Sequence, residues 1–420
     1  MHILFAVHGY KPAYKIGGPI ESVSAIAERL VERGHSVSVF TTNSNLTEDL
    51  DVPLDEPISV DGVNVWYFKR NDFLKRILFF APYFSRSIGY LYAPRMRKAL
   101  DALVPEVDII HTHLPFVYPT HAAGRAAIRH NKPLFYHQRG VFDPERLKFR
   151  SWKKKLFIRL FELPLLKKAR CLIALTEAER ESYRSLGVNT NCTVIPNGID
   201  VEKYWQNLPP KWEEKLTFAA NAQVILFMGR LHPVKGADRL IEAFLAIKDR
   251  FPRAVLVCAG PDEFKIEDRL KKHSFDDLSG RVFFPGMVTG DYKKALLARA
   301  NIFSLPSDAE GFSMAVLEAM ASKTAVILSP GCHFNEVESY GAGKVVSKDV
   351  ASIAAAMSEL LADESLINKM SERAYELVKS RFSWDSIVEE LIQVYQQGAI
   401  DVGGVFNGST SDKGSFLCQK

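Results

Sequence analysis

The sequence contains no long hydrophobic run. Its longest apolar stretches, such as Ile77–Tyr83 and Thr324–Leu328, are far shorter than the roughly 18 residues of a membrane-spanning helix. The first residues, MHILFAV, are apolar but have no basic segment before them, so they are typical of a buried strand and not of a signal peptide. We therefore expect a cytoplasmic location.

Cysteine is scarce, and two glycine-rich nucleotide motifs are missing. The 5 cysteines are odd in number and have no Cys-x-x-Cys spacing, so neither a disulfide framework nor a zinc site is expected. The chain lacks both GxGxxG and GxxxxGK[ST], which argues against a dinucleotide enzyme and a P-loop ATPase. One Asp-x-Asp pair, Asp49 and Asp51, lies in a polar loop beyond the second predicted strand, so no metal site is predicted.

Positive charge is confined to the first half of the chain. The net charge of +5 divides into +9 for residues 1–197 and −4 for the remainder, which favours an anionic partner for one domain and argues against a nucleic-acid binder. Ten Lys and Arg residues fall within 146–170, where Trp152, Leu156, Phe157 and Leu160 recur at helical spacing. This basic amphipathic segment fits a membrane surface, and it fits equally a helix packed on a sheet.

Short apolar runs alternate with helical periodicity along the chain, and the pattern restarts near residue 224. Such repetition predicts an α/β protein with two Rossmann-like domains, each built on a parallel sheet covered on both faces. We expect a first domain over 1–197 and a second over 198–382. A C-terminal helix is expected over 383–398, followed by a disordered tail over 399–420 that is rich in Gly and Ser.

Two carboxylates flank a predicted helix N-terminus in the second domain. The strand NIFSLPS leads to a loop carrying Glu310, a helix begins near Ser313, and Glu318 lies about 1.5 turns into it. The free N–H groups at a helix N-terminus bind phosphate, so this spacing suits a nucleotide-sugar with one carboxylate at each end. A simple alternative is that Glu310 stabilises the helix dipole and Glu318 is a solvated residue.

A second pattern favours the nucleotide-sugar interpretation. Arg230 and Lys235 lie five residues apart in the loop after the strand VILFMG, at the sheet edge where open α/β sheets bind ligands. Both side chains can reach one diphosphate and neutralise the charge that develops when a sugar–phosphate bond breaks.

Together with Gly17-Gly18 and the turn Asn197-Gly198-Ile199-Asp200, these residues resemble glycosyltransferase family 4, the group 1 retaining glycosyltransferases, in their bacterial polysaccharide-biosynthesis type. The resemblance spans about residues 1–397. It implies the GT-B fold, in which two Rossmann-like domains face each other and the C-terminal helix returns to the first domain. The first domain would be on the acceptor side, and the second would bind the donor.

The resemblance also implies a role for each site residue. Arg230 and Lys235 would bind the donor diphosphate, Glu310 the 3- and 4-hydroxyls of the sugar, and Glu318 the ribose. Backbone at Met287 would hold the base, and Gly17 and Gly18 would let the first domain approach the phosphates. Backbone amides near the helix start would bind phosphate and sugar; these belong to Phe312, Ser313, Met314 and Leu317.

The chain departs from the family where many members have His-Gly near the anomeric carbon. Here the pair is Arg139-Gly140, as in some bacterial polysaccharide-type relatives, with His137 two positions earlier. A cation at Arg139 could hold a phosphate or an acidic acceptor. His111 and His113 end the strand VDIIHTH and are candidates for the acceptor cleft, although they could equally cap that strand.

By this resemblance the chain transfers a hexose, with retention, from UDP- or GDP-hexose to a saccharide or lipid-linked saccharide. We expect glucose from UDP-glucose, no cofactor beyond this co-substrate, no metal and no nucleic acid. The setting would be exopolysaccharide or cell-envelope synthesis, at the inner face of the cytoplasmic membrane. The alternatives are a nucleotide-sugar 2-epimerase or hydrolase, and a non-catalytic sugar-nucleotide-binding paralogue. The paralogue would be expected to have lost Lys235 or Glu310, and both are present.

Overall fold

The computed structural model describes residues 1–46, 48–71, 90–144, 147, 151–205, 218–262, 264–268 and 280–400. The strands of the first half are β1 His2–Ala6, β2 Ser36–Thr42, β3 Ser44–Asn45, β4 Glu48–Asp49, β5 Pro57–Val60, β6 Val63–Phe68, β7 Ile109–His113, β8 Leu134–His137, β9 Cys171–Ala174 and β10 Cys192–Val194. Those of the second half are β11 Gln223–Met228, β12 Ala254–Ala259, β13 Val282–Gly286, β14 Ile302–Leu305, β15 Ala325–Leu328 and β16 Gly343–Val345.

The α-helices up to the second sheet are α1 Gly18–Glu32, α2 Pro94–Leu103, α3 Tyr118–Arg129, α4 Ser151–Phe157, α5 Leu163–Lys168, α6 Glu177–Ser185 and α7 Val201–Trp205. The later ones are α8 Ala237–Ile247, α9 Gly290–Arg299, α10 Met314–Ala321, α11 Glu336–Ser339, α12 Val350–Ala362, α13 Glu364–Arg381 and α14 Trp384–Ile400. Among the described residues, no helix is both long and apolar enough to span a bilayer. The predicted tail lies outside the described residues from 401 onward.

The first sheet has the strand order β10-β9-β8-β7-β1-β2-β6-β5. Every pairing in it is parallel except the β5–β6 hairpin at the edge. The central strands are fully buried, as in Ile3, Leu4 and Phe5, because helices cover both faces. Continuous apolar runs such as HILFA are therefore expected here.

The second sheet has the order β13-β12-β11-β14-β15-β16 and is parallel throughout. This is the doubly wound order, which reverses direction between its first and fourth strands. Loops after β11 and β14 therefore leave on opposite sides and open a crevice at the carboxyl edge of the sheet. The corresponding reversal in the first sheet lies between β1 and β7.

The last helix, α14, returns to the first half of the molecule. Trp384, Val388 and Tyr395 are buried in the same cluster as Phe5 and Phe135 of the first sheet. The return begins where Ile199 N donates to Phe382 O at 2.7 Å and Trp384 N donates to Ile199 O at 3.3 Å. Two facing α/β halves and a returning C-terminal helix confirm the predicted fold.

Candidate active site

Lys235 lies in the loop that follows β11, the strand at the reversal point of the second sheet. A single 3-10 turn, Pro233–Lys235, is stabilised by His232, whose Nδ1 accepts from Val234 N at 3.1 Å. The turn ends at Gly236, which has φ +72°, and a Cβ there would lie 2.3 Å from Pro306 O. Only glycine fits this position, because both the φ value and the backbone contact exclude a side chain.

Lys235 forms an ion pair with Glu310, which follows β14 on the other side of the crevice. Lys235 Nζ lies 2.5 and 2.6 Å from the two carboxylate oxygens. Glu310 is 6% exposed, and its N–H donates to Gly331 O at 2.8 Å. The structure thus brings together two residues that the sequence places 75 positions apart. Each side chain neutralises the charge of the other.

Helix α10 begins at Met314, four residues after Glu310. Ser313 is its N-cap residue, and no acidic side chain lies in its first turn. Gly18 of the first half lies close to this turn, since a Cβ built on Gly18 would be 3.9 Å from Met314 Cγ. One expectation needs correction. The amide of Leu317 already donates to Ser313 O at 3.2 Å, so it is not free for a ligand. The amides before it in the first turn are the ones that lack intrahelical acceptors.

The remaining predicted donor residues surround this point in different ways. Gly17, with φ +101°, is the N-cap of α1 and borders open space. Phe312 is buried and packs on Phe334 and Phe382, so its side chain anchors the loop. Met287 is 62% exposed immediately after β13, at the far edge of the sheet.

Arg230 is exposed and forms no hydrogen bond or ion pair within the part of the chain that the structure describes. It stands in the same loop as Lys235, but only the lysine meets a carboxylate here.

Glu318 is 2% exposed on α10 and has two hydrogen-bond donors. Lys293 Nζ lies 2.6 Å and Tyr204 Oη 2.8 Å from the same oxygen, Oε1. Burial raises the pKa of Glu318 and Lys293 lowers it in part, while Glu21 of α1, across the cleft, raises it further. Burial alone would lower the pKa of Lys293, but the Glu318 and Glu21 charges together raise it.

His111, His113 and His137 form a buried cluster under the carboxyl edge of the first sheet. Their ring nitrogens lie within 4.8 Å of one another, and each residue is at most 3% exposed. His113 and His137, which were predicted to lie in the acceptor cleft, are thus buried side chains of the first sheet, because central parallel strands are covered on both faces. His111 Nδ1 instead lies 2.5 Å from Tyr395 Oη of α14.

Three clustered imidazoles are a familiar ligand set for transition metals, but charge argues against a metal here. Arg139 Nε donates to His113 Nδ1 at 3.2 Å. Burial, reinforced by the Arg139 charge, lowers the pKa of His111 and His137 well below the usual value. A divalent cation would place two further positive charges beside a buried guanidinium, which is strongly unfavourable.

Arg139 and Gly140 lie where the two halves meet. Arg139 Nη1 donates to Ser22 Oγ at 2.8 Å and to Asn197 Oδ1 at 3.2 Å. Asn197 Nδ2 in turn donates to Phe312 O at 3.0 Å. A Cβ on Gly140 would lie 2.8 Å from the Cα of Gly311. The loop that carries Glu310 is therefore in direct contact with the first half.

Sequence reasoning missed Tyr204 and Lys293 altogether. Tyr204 belongs to a short helix in the connection between the two sheets, and Lys293 lies on α9, one turn after its start. No local pattern distinguishes either from an ordinary helical residue. Only the fold brings both to Glu318.

Two family models match consecutive parts of the chain. One, described as Glycosyltransferase Family 4, matches residues 16–203, and the other, Glycosyl transferases group 1, matches residues 210–377. An uncharacterized glycosyltransferase of Methanocaldococcus jannaschii is 29% identical, over 94% of this chain and 98% of that protein. A GDP-mannose:cellobiosyl-diphosphopolyprenol alpha-mannosyltransferase of Xanthomonas oryzae is 27% identical, over 74% of this chain and 80% of that protein.

Among solved structures, the Anabaena protein HepE in complex with UDP and glucose superposes with a TM-score of 0.70 at 19% identity, over 94% of this chain and 100% of that one. At this identity the similarity shows the fold, which is that of the GT-B glycosyltransferases. The chain belongs to the group 1 glycosyltransferases, glycosyltransferase family 4, and is a transferase.

Proposed function

We propose that this glycosyltransferase transfers a hexose with retention from a nucleoside-diphosphate sugar, most simply glucose from UDP-glucose, to a lipid-linked saccharide. The observation that carries the proposal is the Lys235–Glu310 pair, which closes the crevice beside the N-terminus of α10. Within one crevice, the cation and the free amides suit the diphosphate of a sugar nucleotide, and the carboxylate suits the hydroxyls of its sugar.

The donor would exchange the internal ion pair for contacts of its own. Lys235 would turn from Glu310 to the diphosphate, joined by the exposed Arg230 and the first amides of α10. Glu310, once released, would accept hydrogen bonds from sugar hydroxyls. The diphosphate would replace Glu310 as the partner of Lys235, and the sugar hydroxyls would replace Lys235 as the partners of Glu310. Binding therefore leaves no buried carboxylate without a partner.

In the proposed reaction the bond between the anomeric carbon and the β-phosphate oxygen breaks, and a bond from that carbon to the acceptor oxygen forms on the same face. The departing phosphate takes the acceptor proton. Lys235, Arg230 and the helix N-terminus stabilise the negative charge on the leaving group. These side chains supply the positive charge that a divalent metal supplies elsewhere, so the proposal includes no metal.

An exposed apolar stripe supports a membrane-bound acceptor. Trp152, Leu156 and Leu160 are 63%, 51% and 56% exposed, each four residues from the next. Lys155 and Arg159 beside them are also exposed. Packing on the first half accounts for Phe157 and Ile158 of this segment, but not for these three exposed residues. Exposed Trp and Leu flanked by cations suit the interface of an anionic bilayer.

Nucleotide release tests the proposal directly. We would incubate the protein with UDP-glucose, UDP-galactose or GDP-mannose, with and without a polyprenyl-diphosphate-linked saccharide, and determine the anomeric configuration of the product by NMR. We expect release that depends on the acceptor, and a retained configuration. Equal release without any acceptor would contradict glycosyl transfer, and an inverted product would contradict the retaining mechanism.

A further inference from the structure

Both hydrogen bonds to Glu318 end on one oxygen. Lys293 Nζ and Tyr204 Oη bind Oε1, at 2.6 and 2.8 Å. Oε2 receives no hydrogen bond from the residues that the structure describes. The two oxygens of one carboxylate therefore have different surroundings, although nothing in the sequence distinguishes them.

The two donors come from different elements and restrict the carboxylate from two directions. Lys293 lies on α9 and Tyr204 on α7, and both helices contact α10 and each other. An sp² oxygen offers two lone pairs, so two donors satisfy Oε1 and fix the rotation of the carboxylate plane. Side chains held by packing and by hydrogen bonds of this kind keep a binding group in one geometry.

The charge of Lys293 also explains how a carboxylate persists at 2% exposure. An unpaired buried charge costs several kcal/mol, whereas a paired and hydrogen-bonded one is tolerated. Lys293 is itself shielded, with a side chain 21% exposed, and faces carboxylates of both halves, Glu318 and Glu21. Lys293 thus offsets part of the cost of burying the Glu318 carboxylate, whose remaining oxygen can accept hydrogen bonds.

We propose that Tyr204 and Lys293 are positioning residues that occupy Oε1 of Glu318 and direct Oε2 at the ribose hydroxyls of the donor, so that the site selects ribonucleotides over 2′-deoxyribonucleotides. This inference rests on the proposed function, in which Glu318 binds the ribose. A ribose diol satisfies Oε2, whereas a 2′-deoxyribose removes one of its donors. A site built to bind a hydroxyl discriminates strongly against the analogue that lacks it.

Titration calorimetry of UDP and 2′-deoxy-UDP into the full chain tests the proposal. A hydrogen bond to a charged group corresponds to a factor of about 10 to 100 in affinity, so the wild type should prefer UDP by about that factor. Tyr204→Phe, which removes only a hydroxyl, should weaken UDP binding and reduce the preference to about threefold. Lys293→Met should do the same, and Lys293→Arg should restore much of it.

Lys294→Met is the matched control, because it removes the same charge one position along α9, where no hydrogen bond to Glu318 is made. A merely structural role for Tyr204 and Lys293 would lower thermal stability and leave the ratio of the two affinities unchanged. That result, or an equal effect of Lys294→Met, would overturn the proposal. A wild type that binds UDP without preferring it to 2′-deoxy-UDP would overturn it while leaving the proposed function intact. If the wild type binds neither UDP nor GDP, the proposed function fails as well.

Discussion

Replacing Lys235 by alanine should damage stability as well as catalysis. Its ammonium lies 2.5 and 2.6 Å from the carboxylate oxygens of Glu310, which is 6% exposed. Lys235→Ala would leave that carboxylate buried without a counter-charge. The reverse change, Glu310→Ala, should cost less, because the lysine side chain is 20% exposed and can turn to water.

The magnitude follows from this asymmetry. Removing one partner of a fully buried ion pair costs about 3–5 kcal/mol, and the partial exposure of Lys235 reduces the expected cost to about 2–3 kcal/mol. For a domain of this size the midpoint of thermal unfolding should fall by about 5 °C. Lys344→Ala is the matched control. Lys344 has a similar exposure, 24%, and an ion pair of 2.7 Å, but its partner Glu359 is 55% exposed. We expect that change to cost at most about 1 kcal/mol.

Urea unfolding of both variants, and of the double variant Lys235→Ala/Glu310→Ala, gives the coupling directly. The double variant should be more stable than Lys235→Ala alone. Turnover of Lys235→Ala should fall by about 10² to 10³, because a contact to the leaving-group charge is lost. The reasoning is refuted if Lys235→Ala costs no more than Lys344→Ala. The donor-site assignment is refuted if the variant keeps wild-type turnover.

Four further outcomes can be checked. Glu310→Gln should lower kcat with little change in UDP affinity, whereas Glu318→Gln should chiefly weaken UDP binding; equal effects on affinity would contradict this division. EDTA should leave the rate unchanged, and rescue of an inhibited enzyme by Mg²⁺ or Mn²⁺ would contradict the metal-free mechanism. The protein should co-sediment with anionic but not neutral vesicles at low salt, and Trp152→Ala/Lys155→Glu should release it; if the wild type stays in solution, the membrane proposal fails. Gly140→Ala should cut turnover more than tenfold with modest loss of stability, since its φ of +76° and the contact with Gly311 leave no room for a Cβ; wild-type kinetics would show that the contact is not required.

The order of strands and helices could be predicted because its signals are local. Apolar runs, helical spacing and glycine stops placed most elements within a few residues. Helix α1, for example, begins at Gly18, with Gly17 as its N-cap residue and Pro19 in its first turn. The last helix continues to Ile400, two residues past the expected end at 398.

The burial of polar residues at strand ends could not be predicted from the same signals. The strand IIHTH ends in three consecutive polar residues, His111, Thr112 and His113, which favours an exposed strand end. In the structure all five residues are buried, because β7 lies in the middle of the sheet and helices pack on both faces. Position within the sheet, which depends on long-range pairing, decided the outcome for His111 and His113.

Local sequence signals also could not predict the residue contacts that join the two halves of the molecule. The sequence predicts that Arg139 is a cation available to bind a phosphate. In the structure Arg139 is buried, and its pKa is lowered to about 10, chiefly by desolvation. Its Nε donates to His113 and its Nη1 to Ser22 and Asn197, and these bonds fix the guanidinium between the first helix, the interdomain turn and the first sheet. Asn197 also donates a hydrogen bond to Phe312 O, in the loop that carries Glu310. A shift of this loop would break that bond within a desolvated polar network, which is unfavourable in free energy. We therefore expect Arg139 to influence the proposed donor site through the position of that loop, and a substitution there should alter the approach of the two domains before it alters any contact with the acceptor.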